Sequence, residues 1–107
     1  MIDKTSKDII ATIKKTIKKV APQARVILYG SRARGDYHKD SDWDLLILLD
    51  KDKIEEKDQE RIAFPLYDIG YSANQLISPK IYTFSEWSKR SFTLFYKNIN
   101  KEGIILL

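Results

Sequence analysis

The sequence predicts an α/β (α+β) domain, and three observations carry that expectation. Ile9, Ile10, Ile13, Ile17 and Val20 recur on one face of a helical period with lysines opposite, which marks an amphipathic helix. Arg25-Val26-Ile27-Leu28-Tyr29 and Trp43 to Leu49 are short, β-branched or almost continuously apolar runs, as buried strands are. Apolar residues return at helical spacing after the second of these runs, in Ile62, Leu66 and Ile69.

The composition bounds the rest. A chain of 107 residues forms one domain, 1–107, and 43% hydrophobic with 11% aromatic residues is enough to build a core. The absence of cysteine removes disulfide frameworks, thiol catalysis and thiolate metal sites. The stretch Met1 to Lys7 is polar, and no apolar run approaches the ~20 residues of a membrane span. No membrane is therefore expected, and the expected location is the cytoplasm. Nineteen basic against fifteen acidic residues give a net charge of +4. Acids are interleaved with the bases, and Lys14, Lys15, Lys18, Lys19 and Arg25 read as a solvated helix face, so nucleic acid is not the expected partner.

In chain order, the first helix is expected over Ser6 to Val20, with Thr5 and Asp8 as a capping box and Pro22 marking its end. The strand 25–29 stops at Gly30, and the polar stretch from Gly30 to Asp42 is a loop with room for one helical turn. The strand 43–49 is covered on both faces. A helix from Ile54 to Tyr71 follows, with Pro65 as a point of kinking and Gly70 or Asn74 to close it. Leu76 to Thr83 is a strand that Pro79 assigns to a sheet edge. Ser85 caps a short helix bearing Glu86 and Trp87. Phe92, Phe95, Tyr96 and Ile99 then offer another apolar face, whose aromatics read as core or interface residues. The apolar tail Ile104 to Leu107 either docks on the core or meets a partner.

Two acids break this pattern. Asp42 and Asp44 lie two apart at the start of an apolar strand, which puts both on one face with Trp43 on the other. Like charges so placed are stabilised by a cation between them, and magnesium suits because it binds through one or two carboxylates together with substrate phosphates. Gly30-Ser31, where a buried strand breaks into a loop, allows close backbone approach and offers N–H and hydroxyl donors to phosphate oxygens. Arg32 and Arg34 add positive charge beside it. A phosphate cradle and a carboxylate pair, eleven residues apart from Ser31 to Asp42, would hold a nucleoside triphosphate with its metal and allow phosphoryl or nucleotidyl transfer. His38, the one histidine, reads as a solvent-facing loop residue, and Tyr37 as a packing or exposed one that could also stack on a base.

The run Leu28-Tyr29-Gly30-Ser31-Arg32-Ala33-Arg34-Gly35, followed by Ser41-Asp42-Trp43-Asp44-Leu45-Leu46-Ile47, resembles the signature of the minimal nucleotidyltransferases of the polymerase-β-like superfamily. The two halves agree in residue type, order and spacing over about twenty residues, far more than a lone glycine-rich motif. The resemblance implies a polymerase-β-like fold, a small mixed β-sheet of three to four strands flanked by helices. It also implies a single minimal nucleotidyltransferase domain that moves an NMP, AMP from ATP, to a hydroxyl. The implied site has Asp42 and Asp44 as catalytic and metal-binding residues, Gly30, Ser31, Arg32, Arg34 and Ser41 at the phosphates, and two magnesium ions with bound NTP.

The sequence departs from the family at the third carboxylate. The strand expected to supply it offers Ser78 instead: either the site works with two acids and a water, or Asp68 or Glu86 reaches in, or catalysis is weakened. Two readings follow. One is an enzyme whose acceptor comes from another protein or molecule, since so short a chain is not expected to hold an acceptor domain. Stand-alone members of the family pair with HEPN-type helical proteins, as in toxin–antitoxin systems. The other is a nucleotide-binding, antitoxin-like interaction module with the apolar tail as its interface, in a homodimer or with a partner. A plain nucleic-acid binder ranks last.

Overall fold

A computed structural model of the chain describes residues 4–107. Met1 to Asp3, part of the polar N-terminal stretch, lie outside the described residues. The elements are α1 (Lys4–Val20), β1 (Arg25–Tyr29), α2 (Ser31–Arg34), β2 (Trp43–Leu49), α3 (Glu56–Ser72), β3 (Ile77–Thr83), α4 (Phe84–Ser88), α5 (Leu94–Glu102) and β4 (Ile104–Ile105). The strands form one mixed sheet in the order β3-β2-β1-β4. β1 is antiparallel to both β2 and β4, and β2 is parallel to β3. β3 is an edge strand, as Pro79 requires.

Strand alternation divides the core between the two faces of this sheet. Val26, Leu28, Trp43, Leu45, Ile47, Ile77 and Ile81 point to one side, where Ile9, Ile13 and Ile17 of α1 and Ile62 and Leu66 of α3 cover them. Tyr29, Leu46 and Leu48 point to the other, beneath Trp87 of α4 and Ile99 of α5. Trp87 organises this smaller cluster, meeting Phe95 edge-on at 5.6 Å and lying at 4.9 Å from Tyr96. Phe92 is not part of it. It precedes α5 and is 79% exposed, against the apolar face expected of it.

The helix ends correct several expectations. Among the described residues α1 runs from Lys4, so Thr5 lies inside the helix and does not cap it. α4 is capped by Thr83 and not by Ser85: the Thr83 hydroxyl accepts from the Glu86 N–H (3.0 Å), and the Glu86 carboxylate accepts from the Thr83 N–H (2.9 Å). α3 starts two residues later than expected, at a Glu55–Asp58 capping box, and continues through Pro65. It closes as Asn74 allows. Asn74 has φ 55°, its N–H bonds to Tyr71 O (3.2 Å), and the Gln75 N–H bonds to Gly70 O (2.8 Å), the paired pattern that satisfies the last carbonyls of a helix.

The C-terminal tail docks. Leu106 N–H donates to Val26 O (2.7 Å) and Leu107 O accepts from the Val26 N–H (3.1 Å), while both leucine side chains pack against the larger core cluster.

Candidate active site

Three chain passages converge at one end of the sheet. β1 leaves it at Tyr29, and β2 and β3 both enter it, at Trp43 and Ile77. The register makes Tyr29, Asp44 and Ser78 a row across three strands on the same face. Trp43 turns the other way into the main core, 1% exposed, which holds the start of β2 in place. Lys80 lies two residues beyond Ser78, on the side of the sheet that carries Asp44.

Gly30 closes one side of this row. Its φ of +75° is a backbone conformation that side chains disfavour, and a Cβ built on it would fall onto Asp44 Oδ2 and within 3.3 Å of Asp44 Cγ. The carboxylate therefore rests directly against the turn, and Ser31 begins the single helical turn of α2 beyond it. Electrostatics agree with a crowded anionic position. Burial, and then the neighbouring Asp42, push the Asp44 carboxyl above its usual range, with Lys80 and Arg34 opposing them. Tyr29 is pushed up to about 12 by burial, then by Asp44 and Tyr82. Asp42, Asp44, Gly30 and Ser31 are thus brought together. Two carboxylates beside a turn suit one magnesium ion completed by phosphate oxygens. Among the described residues there is no group of three or more acids or histidines that could hold a metal by itself.

Arg32 has a different job from the phosphate contact expected of it. Its side chain is buried between the rings of Tyr37 and Trp43, 4.4 and 4.6 Å from their centroids. Its Nη2 donates to Ser41 O (3.1 Å) and Gln75 Oε1 (2.9 Å), and its Nε to Ser41 O (3.3 Å). Trp43, its stacking partner, belongs to the face opposite Asp44, so this guanidinium ties the loop down from behind. Ser41 belongs to the same device: its carbonyl receives Arg32 and its hydroxyl accepts from the His38 N–H (3.0 Å). Arg34 lies on the site side but is exposed and paired with Asp36 and Glu102, both at 3.2 Å, which tethers α5 to the motif loop. His38 is exposed, as expected.

The acids considered for the third position lie elsewhere. Asp68 lines a groove with Thr5, Asp8 and Thr12 between α3 and α1, across the sheet from Asp44. Glu86 caps α4 beyond Thr83, five residues and about 16 Å of strand from Ser78. Ser78 alone occupies the position beside Asp44. Three residues of this site were missed in the sequence: Lys80, which strand alternation from Ser78 could have placed, and Gln75 and Glu102, whose roles depend on contacts across 43 and 68 residues.

Comparison with known proteins gives the family. Residues 10–106 match the nucleotidyltransferase domain family, and the chain belongs to it. It is 41% identical over 100 residues to "Putative protein adenylyltransferase MJ0141" of Methanocaldococcus jannaschii, covering 91% of this chain and 94% of that one. A solved structure titled "Crystal structure of the toxin-antitoxin with AMP-PNP" superposes with a TM-score of 0.65 at 19% identity, over 92% of this chain and 72% of that one, and shares the fold. The protein is a nucleotidyltransferase. No helix of the described residues is long and apolar enough to cross a membrane.

Proposed function

We propose that this chain transfers AMP from ATP, with magnesium, to a hydroxyl of a partner protein. The observation that supports this most is the contact between the Gly30 turn and the Asp44 carboxylate, with Asp42 close enough to raise its proton affinity. Asp42 and Asp44 would hold the magnesium, which when bound neutralises phosphate charge and orients the triphosphate. Gly30 and Ser31 would receive phosphate oxygens, with Arg34 adding positive charge at the rim. Arg32 and Ser41 would act behind them by fixing the loop.

The acceptor oxygen attacks the α-phosphorus, the bond from that phosphorus to the pyrophosphate oxygen breaks, and pyrophosphate leaves with the electron pair. The hydroxyl proton passes to water or to a base on the acceptor, since Ser78 is too weak a base to take it. A protein acceptor is favoured by the name of the 41% identical relative. The neighbour's toxin–antitoxin title favours a partner protein, and the family resemblance implies that it is a helical protein of the HEPN type. The exposed Ile104 and Ile105 offer a surface for that partner or for a homodimer.

The second reading, a nucleotide-binding interaction module, is favoured by Ser78 standing opposite Asp44. Incubation with α-labelled ATP, magnesium and candidate partner proteins separates the two. Label should pass to the acceptor and disappear with Asp42→Asn or Asp44→Asn, whereas nucleotide binding without transfer to any acceptor would support the module.

A further inference from the structure

We infer that the site takes one divalent ion with its nucleotide, not two, because Ser78 and Lys80 occupy the side of Asp44 where a second ion would need an acid. The inference rests on the nucleotide-binding reading above. Paired catalytic metals sit about 3.5–4 Å apart, so a second cation beside the first must be offset by further anionic ligands. The sheet neighbours of Asp44 are Tyr29 on β1 and Ser78 on β3, both neutral at physiological pH. The next position along that face of β3 is Lys80, already a cation.

Asp42 and Asp44 supply carboxylate ligands for one divalent ion, whose remaining ligands are phosphate and water oxygens. Placing another beside Ser78 would set it against the Lys80 ammonium with no carboxylate between them. The acids considered for the third position are committed or distant, since Glu86 caps α4 and Asp68 is across the sheet, and Glu102 is paired with Arg34. Lys80 therefore adds on this side a positive charge, felt at Asp44, where other sites would recruit a metal.

Equilibrium dialysis against Mn2+ and a non-hydrolysable ATP analogue gives the ratio directly, as the excess of metal and nucleotide on the protein side. One Mn2+ per bound analogue is expected for the native chain. Ser78→Asp, alone and combined with Lys80→Met, should raise that ratio toward two, with thermal melting used to check that each variant folds. Two ions on the native chain would overturn the inference and leave the nucleotide-binding reading intact, whereas no retained metal and no retained analogue would overturn both. A folded Ser78→Asp,Lys80→Met variant still at one ion would overturn the assignment to Ser78. If the variants do not fold, the native ratio decides.

Discussion

Gly30 has its α-carbon against the carboxylate of Asp44, close enough that a methyl group there would overlap Asp44 Oδ2. The glycine is thus required twice, once for its φ of +75° and once for the space its missing side chain leaves. Gly35 shares the first requirement, with φ +91°, but a Cβ there meets nothing within 4 Å. Gly30→Ala and Gly35→Ala should therefore both lower stability by about 1–3 kcal/mol through backbone strain. Only Gly30→Ala should also displace Asp44 and weaken nucleotide binding by at least about tenfold, which corresponds to about 1.4 kcal/mol. Calorimetric melting and titration with an ATP analogue test the pair. Equal nucleotide affinity in the two variants would refute the close-contact argument.

Arg32 is the residue for which structure and motif disagree most. As a phosphate ligand its loss would weaken nucleotide binding and leave the empty protein as stable as before. Wedged between Tyr37 and Trp43 with its donors on Ser41 and Gln75, it should matter without any ligand. Arg32→Ala is expected to cost about 2–4 kcal/mol, since it removes stacking and the part-buried hydrogen bonds to Ser41 O and Gln75 Oε1. Arg32→Lys should recover little of this, because an ammonium cannot reproduce the planar fork. Denaturant unfolding of the ligand-free protein measures both.

The strands and the acids were readable because their signals are local. Trp43 to Leu49 declares a strand buried on both faces by composition alone, and alternation then sends Asp44 to the face opposite Trp43. The limits of β1 and β2 follow from where those apolar runs stop. What was not readable depends on the sheet register or on distant contacts. Nothing near Arg32 in the chain announces that Gln75, 43 residues away, will accept its hydrogen bond. The sequence points to Ser85 as the cap, and the role falls to Thr83, at which β3 ends and whose hydroxyl accepts from the Glu86 N–H. Asp68 does not reach Asp44, because α3 packs on the other face of the sheet.

Asp44 should behave as a functional group held at a cost to folding. Its carboxyl lies above the ordinary value of 3.8 because burial and Asp42 disfavour the charge. For a raised acid the penalty is absent below the unfolded value and fully present once the pH exceeds the folded one. Asp44→Asn should accordingly raise the Tm of the ligand-free protein at pH 7, and the gain should vanish below about pH 3.8. The same variant should lose nucleotide transfer. A Tm scan across pH 3 to 8 checks the sign, and a lower Tm at pH 7 would contradict it.

Asp58 should show the opposite sign. Its side chain is 1% exposed at the start of α3, where Oδ2 accepts from the Glu55 N–H (2.9 Å) and Lys51 Nζ (2.7 Å), and Oδ1 from Arg61 Nη2 (3.1 Å). Burial alone would raise its pKa, but the Lys51 and Glu55 hydrogen bonds, with the charges of Lys51 and Arg61, bring it below 3.8. A depressed acid contributes stability that is present above the unfolded value and lost as the pH falls through the folded one. Asp58→Ala is expected to cost about 2–3 kcal/mol at pH 7, by removing the cap and leaving the Glu55 N–H without its partner. Asp58→Asn should retain part of the cap and lose the pH dependence, so the native protein and this variant should converge in stability as the solution is acidified below pH 3.8. Urea unfolding at pH 7 and at pH 3 would show that convergence, and a constant difference between the two would remove the carboxylate charge from the account.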